Sequence, residues 1–459
     1  MKKIFLIPII AVAFFVTLSA GCESAVETEG PNSQLTAVAV FESAPTANAA
    51  LADIYAQIRE YGILSGKKQG SSYLLGCYAD ELTAYEFGPF SAESFFNNAL
   101  VPSDAGISGL WNASYNQIYA ANAVIEGAKL SSALSVTEHQ QITGEALFIR
   151  ALLHVQLTGL FGNIPYIETT DYRANSIAGK KTVEQVYDLA ITDLEQAVLW
   201  LPEAYTTPGR IRPNRATAQA LLARVYLYDR QWAEASNMAS AVLNQTARYH
   251  MNVPLEDMFL KSSPTTIWQL GSGLDGDNAN EGNSFILQNG PPDSVALTRE
   301  LLDAFEPGDL RKTHWVGSVT NGTDVWYFPY KYKQRMPTGS SLEYSVVFRL
   351  SEQYLIRSEA RAMQGDLIGA TEDLNVVRNK ADLGNTTAQS AVAIVNVVMH
   401  ERRVELFTEQ GHRFLDLKRS GNLGILAAKP GWNPEDALWP LPQTELLANG
   451  RLLPQNPGY

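Results

Sequence analysis

Aromatic rings are concentrated in two windows of the chain. Tyr73, Tyr78, Tyr85, Phe87, Phe90, Phe95 and Phe96 fall within 24 residues, and Trp315, Trp326, Tyr327, Phe328, Tyr330 and Tyr332 within 18. A ring offers a flat apolar face to the C–H face of a sugar, while neighbouring amides, carboxylates or guanidinium groups bond the hydroxyl edges. Asp80, Glu81, Asn97, Lys331 and Arg335 stand close enough in sequence to serve as such polar partners. Large rings are also what a core buries, so each ring taken alone reads first as packing. Trp111 and Trp232 lie in helical patterns and are assigned to the core.

Catalytic chemistry finds little footing. The densest charged run, Glu401–Arg419, carries a buried stripe of Val395, Val398, Met399 and Leu406, and its pairs Arg402–Glu405 and Glu409–Arg413 are spaced to brace a helix. His412 has no nucleophile near it in sequence and reads as structural. The six histidines make no H-E-x-x-H pair, and neither a G-x-S-x-G elbow nor a complete phosphate-binding loop occurs. Gly271–Gly282, GSGLDGDNANEG, is acidic enough to suggest calcium, but Ala279 stands where a calcium loop needs an oxygen ligand, so a solvated loop is expected. Two cysteines, Cys22 and Cys77, are too few for a disulfide framework or a cysteine zinc site. No cofactor or metal is expected. Carboxylates that meet only in the fold leave glycoside hydrolysis open at this level.

The elements that position these residues are mostly helices. Leu51, Ile54, Tyr55 and Ile58 give the spacing of one helix face, and Thr182 with Gln185 forms a capping-box start for a helix closed by Leu201-Pro202. Ala216–Tyr228 and Trp232–Leu243 flank the turn Asp229-Arg230-Gln231 as an antiparallel hairpin. Ala223 and Ala235 stand twelve residues apart across that turn, as Ser358 and Ala370 do across Gly365-Asp366, and small residues at this interval let paired helices approach as in a tetratricopeptide unit. Thr265–Leu270, Ser284–Gln288, Val325–Phe328 and Ser345–Leu350 have strand-like composition between Gly, Asn, Asp and Pro, with helix returning at about Ser351. The fold class expected is mainly α, helical hairpins carrying an irregular region of loops and short strands.

The amino terminus has the layout of an exported, anchored protein. Lys2 and Lys3 precede an apolar stretch from Ile4 to Leu18, and Ser19-Ala20-Gly21 lead into Cys22. This is a cleavable signal over residues 1–21, too short for a spanning helix, and its end resembles a lipobox that would leave Cys22 carrying lipid, although Ser19 stands where Leu is usual. Residues 22–35 are polar and suit a tether. Hydrophobic residues at 46% and charged residues at 18% exclude a disordered chain, and 35 basic against 48 acidic side chains argue against nucleic acid as a partner.

Several segments together resemble one family. Leu110-Trp111 with Tyr115, Ile118, Tyr119 and Asn122; Gly144-Glu145-Ala146, Arg150-Ala151 and Phe161-Gly162-Asn163-Ile164-Pro165-Tyr166; Ala220–Tyr228; Ser358-Glu359-Ala360 and Leu374–Arg378; Glu401-Arg402-Arg403 and Gly411–Arg419; and the terminal Gln455–Tyr459 follow the order of motifs in the SusD/RagB outer-membrane lipoproteins of the Bacteroidota. The resemblance implies a fold of tetratricopeptide-like units, with residues 36–250 and 251–459 as intertwined parts of one body. It implies a lipid-anchored, non-enzymatic protein of the outer-membrane cell surface that captures an oligosaccharide for a SusC-like TonB-dependent transporter; a peptide or other non-sugar nutrient is the alternative ligand, because scaffold does not fix ligand class. Members place ligand-binding aromatics in loops of the two rich windows, which puts forward Tyr85, Phe90, Trp315, Trp326, Tyr330 and Arg335 as contacts.

Overall fold

The computed structural model describes residues 37–88 and 91–459. Cys22, the signal and the tether lie outside the described residues, as does Phe90. Helix α1 (Ala44–Glu60) starts at Ser43, whose hydroxyl accepts from the Thr46 amide, and Pro45 sits in the first turn where an N–H has no partner to lose. It buries Leu51, Ile54, Tyr55 and Ile58, the stripe read from the sequence. Helix α2 (Ser71–Tyr78) is buried along its whole length.

The helices that follow form a series in which each packs on the next: α3 (Ala105–Leu130), α4 (Val136–Phe161), α5 (Val183–Trp200), α6 (Arg215–Tyr228), α7 (Trp232–Leu243), α8 (Leu350–Gln364) and α9 (Leu367–Lys380). Capping boxes at Ser135/Glu138, Thr182/Gln185 and Asn214/Thr217 satisfy the first amides of α4, α5 and α6. Arg230 turns the chain between α6 and α7 at φ 62°, and Gly365, at φ 87°, ends α8. Ala223, Ala235, Ser358 and Ala370 are all fully buried, as their spacing predicts. Helices α10 (Ala391–Glu405) and α11 (His412–Arg419) complete the second half. The fold is mainly α and built of tetratricopeptide-like hairpins.

Among the described residues there are six short strands: β1 (Leu82–Ala84), β2 (Thr266–Leu270), β3 (Val295–Leu297), β4 (Val316–Thr320), β5 (Val325–Pro329) and β6 (Ser345–Arg349). They form three antiparallel pairs, β1 with β3, β2 with β6 and β4 with β5. One strand expectation fails. Ser284–Gln288 instead ends the short helix Asn280–Phe285 and continues as irregular chain. There the Ser284 hydroxyl donates to the Gly66 carbonyl at 2.9 Å and Phe285 stacks on Tyr73, so burial is achieved without a strand partner. Strand β4, not anticipated, is joined to β5 through Asn321-Gly322, whose Asn321 side chain accepts from the amides of Thr323 and Asp324.

The core centres on Trp268 of β2, against Tyr55, Phe148 and Phe348 from three other elements. The two halves of the chain interlock: the Trp439 amide donates to the Leu160 carbonyl at 2.9 Å, and Asn456 reaches the Phe161 carbonyl at 2.8 Å. Glu401–Arg419 braces this body, but Arg402, Glu405, Glu409 and Arg413 take partners other than the neighbours expected, and the local pair formed is Asp416–Arg419 at 2.8 Å. Arg402 pairs with Asp416 at 2.7 Å, Glu405 with Arg311 at 3.1 Å, Glu409 with Arg349 at 2.8 Å, and Arg413 with Asp80 at 2.7 Å. These groups are buried, and desolvated charges gain more from a partner on another element than from the local spacing expected for an exposed helix face. His412 is buried among them and held well below the usual imidazole range, by burial first and then by Arg224 and Arg402.

Candidate functional site

A cleft of about 1120 Å³ opens between the end of α1, the loop at 62–70, Gly88, the segment at 91–99 and the first turns of α3. Its depth follows from small residues. Gly106, Gly109 and Ala113 lie on the α3 face that lines it, and a Cβ built on Gly109 meets nothing within 4 Å. Gly62 takes φ 89° as the chain leaves α1, and its missing Cβ would stand 3.2 Å from that of Ala113, so the turn sits directly on α3. Gln117 fixes the turn by donating to the Tyr61 carbonyl at 3.0 Å. The Tyr61 ring is left 66% exposed at the margin of the cleft, with the Lys67 ammonium 5.8 Å from its centroid.

The polar lining is mixed. Gln57, Gln69, Asn97, Asn116 and Gln117 bring side-chain amides, each with a donor and an acceptor end. Lys67 pairs with Glu60, and Lys68 with Glu86 at 2.9 Å, while Glu86 also accepts from the Tyr73 hydroxyl at 2.8 Å. Burial raises the Glu60 carboxyl, but bonds from Lys67 and Arg59 outweigh it and leave it below the usual carboxylate range. Asp104 caps α3, accepting from the Gly106 amide at 2.8 Å and from the Ser94 hydroxyl at 2.9 Å.

Three of the rings expected to contact ligand come together, outside the lining of this cleft. Tyr85, Trp326 and Tyr330 pack partly buried around Phe328, Leu287 and Ala296. Tyr85 follows β1 and donates its amide to the Ser294 carbonyl at 2.8 Å, and three residues on, Gly88 is in the cleft wall. Phe87 between them is 74% exposed. Trp326 covers Gly290, where a Cβ would stand 2.4 Å from indole Cζ3. Arg335 does not join this cluster: it is half-buried, with Nη1 3.8 Å from the Met336 sulfur.

Trp315 requires correction. It is fully buried, donates its indole N–H to the Leu255 carbonyl at 3.1 Å and meets Phe259 edge to face at 5.6 Å, so it presents no face to a ligand. A window rich in aromatics conceals this difference, since alternate positions of a short helix and hairpin point inward and outward. Three expected polar partners are likewise drawn inside. Asp80 holds Arg413 and Arg403; Glu81 is buried and pushed up to about 8 by burial and then by Asp80; Lys331 donates to the carbonyls of Glu405 and Phe407. Asn97 is exposed in the cleft. Trp111 is buried as expected, and Trp232 packs half-buried against the core. The residues not anticipated are Tyr61, Lys67, Lys68 and the amides of α1 and α3. Tyr61-Gly62 just past an amphipathic helix and the spacing Gly106, Gly109, Ala113 were the available signals.

In the acidic loop after Gly271, the Asp277 carboxylate accepts from the Leu274 amide at 3.3 Å, and Asn278 bonds the 336–343 segment. Among the described residues no group of three or more His, Cys, Asp or Glu is placed to hold a metal ion.

Residues 43–227 match the family described as starch-binding and associating with the outer membrane, and residues 310–425 match the SusD family, so the two matches take in most of the chain. The protein belongs to the SusD family. SusD-like protein P2 of Formosa agariphila is 27% identical to this SusD-family chain, over 94% of the chain and 96% of the relative. A SusD superfamily protein of Bacteroides vulgatus superposes with a TM-score of 0.77 at 19% identity, covering 91% of this chain and all of the other. A laminarin-binding SusD-like protein gives 0.76 at 22% identity, covering 90% and 99%. These likenesses establish the SusD fold. Among the described residues no helix is long and apolar enough to cross a membrane.

Proposed function

We propose that this protein is a non-enzymatic, lipid-anchored binder at the outer cell surface that captures an oligosaccharide and delivers it to a SusC-like TonB-dependent transporter. The observation that carries the reading is the cleft beside Tyr61: an exposed ring, five side-chain amides and a floor of small residues are the complement of a sugar chain's flat faces and hydroxyl edges. Tyr85, Trp326 and Tyr330 form a second group of rings, and from Tyr85 the chain runs through the exposed Phe87 to Gly88 in the cleft wall. Family membership and a laminarin-binding protein of the same fold support the carbohydrate class. Cys22 is the proposed site of lipidation.

The test is calorimetry against a glycan panel with Gly109→Phe, which fills the cleft from an open position. A glycan that binds the wild type and not the folded variant supports the reading; peptide binding with silent glycans, or turnover of the sugar, removes it. Delivery is tested by purification from the native outer membrane, which is expected to recover a barrel transporter with the wild type, while Cys22→Ser releases the protein from the membrane.

A further inference from the structure

The charges that line the cleft say more about its ligand than its size does. Two lysines and three carboxylates face it: Lys67, Lys68, Glu60, Glu93 and Asp104. Both ammonium groups are already committed, Lys67 to Glu60 and Lys68 to Glu86. Among the described residues no other Lys or Arg lines the cleft. Two of the carboxylates are turned to backbone amides, Asp104 to those of Gly106 and Ile107, Glu93 to that of Gly88 at 3.3 Å. The groups left to meet a ligand are the uncharged amides, the Tyr61 ring and the apolar face of α3.

From this arrangement we infer that the cleft takes an uncharged stretch of glycan and turns away chains bearing carboxylate, sulfate or amine groups. The inference rests on the carbohydrate reading above and narrows it. A carboxylate or sulfate entering the cleft loses hydration and needs a cation in return. To find one it must share Lys67 with Glu60 or Lys68 with Glu86, which brings two like charges together on one ammonium group. The long-range field acts in the same sense, since the chain carries a net charge of −13. An amine-bearing sugar meets the like charge of Lys67 and Lys68, while Glu60 is engaged by Lys67, Asp104 by Ser94 and the start of α3, and Glu93 by the Gly88 amide. Hydroxyls face no such conflict, because the exposed amides of Gln69, Asn97 and Asn116 can each donate to one and accept from another.

The experiment is affinity electrophoresis and calorimetry of the whole mature protein against neutral β-glucan, mannan and xylan, against polygalacturonate and chondroitin sulfate, and against chitosan. Binding to a neutral polymer is expected, changing less than about twofold between ~0.05 and ~0.5 M NaCl because no exposed ion pair forms with the ligand, and it is expected to be lost in Gly109→Phe and weakened in Gln57→Ala. Asn116→Lys, which adds an uncommitted ammonium group to the wall, is expected to acquire salt-sensitive binding of polygalacturonate that the wild type lacks. Wild-type binding of a charged polymer that disappears in Gly109→Phe overturns the inference while leaving the carbohydrate reading intact. Silence of the wild type towards every glycan overturns both.

Discussion

Ser358 Oγ donates a 2.7 Å hydrogen bond to the carbonyl oxygen of Ala370, across the seam between α8 and α9. Both residues are fully buried, so the seam has room for a hydroxymethyl and a methyl group and little else. Ser358→Ala is expected to lower stability by about 1 kcal/mol through the lost bond, and Ser358→Leu by about 1–3 kcal/mol through forced separation of the helices. Urea unfolding measures both. Equal midpoints for Leu and Ala variants would mean that the seam yields and that its spacing does not matter.

Trp315 and Tyr61 divide stability from binding. Removing the fully buried Trp315 to Ala leaves a cavity beside Phe259 and an unmet Leu255 carbonyl, and is expected to cost about 3–5 kcal/mol. Tyr61→Ala removes a ring that is mostly in solvent, so its effect on stability is expected within about 0.5 kcal/mol. Its effect on glycan affinity is expected at about three- to tenfold, the scale of one ring contact. Thermal unfolding and calorimetry on the same samples separate the two; a Trp315→Ala protein of normal stability would return that residue to the candidate site.

How much of this was legible in the sequence depends on the kind of signal. The stripe of α1, the capping box of α5 and the paired small residues of α6–α9 are local patterns tied to helical periodicity, and they appear where the sequence placed them. Strand β4 carried a legible Asn321-Gly322 turn, but Val316 and Val319 are too few apolar positions to mark a strand by alternation. Ser284–Gln288 has strand composition and no strand partner, a fact set by tertiary placement. The site was legible only in part. Composition gathers Tyr85, Trp326 and Tyr330 as a set, yet the same composition includes Trp315, and only packing tells an inward ring from an outward one. The cleft itself is made by absent side chains at Gly106 and Gly109, which no count of chemically active residues detects.

His154 predicts a pH dependence of stability. Its Nδ1 donates to the Arg150 carbonyl at 2.8 Å while Nε2 accepts from the Ile167 amide at 3.1 Å, so the ring is held neutral with its proton on Nδ1. Burial first, and then the Arg150 charge, pushes it down to about 3, although the backbone bond favours the proton. A depressed folded value gives stability that is fully present above pH 6.5 and is lost as the pH falls towards 3. The expected contribution of this residue is a slope of about 1.4 kcal/mol per pH unit within that window, for one proton taken up on unfolding. The wild-type slope minus that of His154→Gln, from urea titrations at successive pH values, isolates it; coincident slopes would show that the ring accepts a proton in place.

Arg224 and Glu352 form the clearest test of whether the buried ion pairs are structural. They join α6 to α8 through two bonds of 2.6 and 2.8 Å, each side chain is 2% exposed, and the guanidinium lies 4.5 Å over the Phe348 ring. Glu352→Leu leaves a desolvated guanidinium without its counter-charge and is expected to cost about 3–5 kcal/mol. Arg224→Met leaves the opposite charge stranded, close to His412, and is expected to cost as much. Because most of that cost belongs to the abandoned partner and not to the lost attraction, the double variant Arg224→Met/Glu352→Leu is expected to be more stable than either single one. Ligand affinity is expected to stay unchanged in all variants that fold, since the pair lies outside the cleft lining. Additive losses in the double variant would mean that the two residues are not coupled and that each holds the seam through contacts of its own.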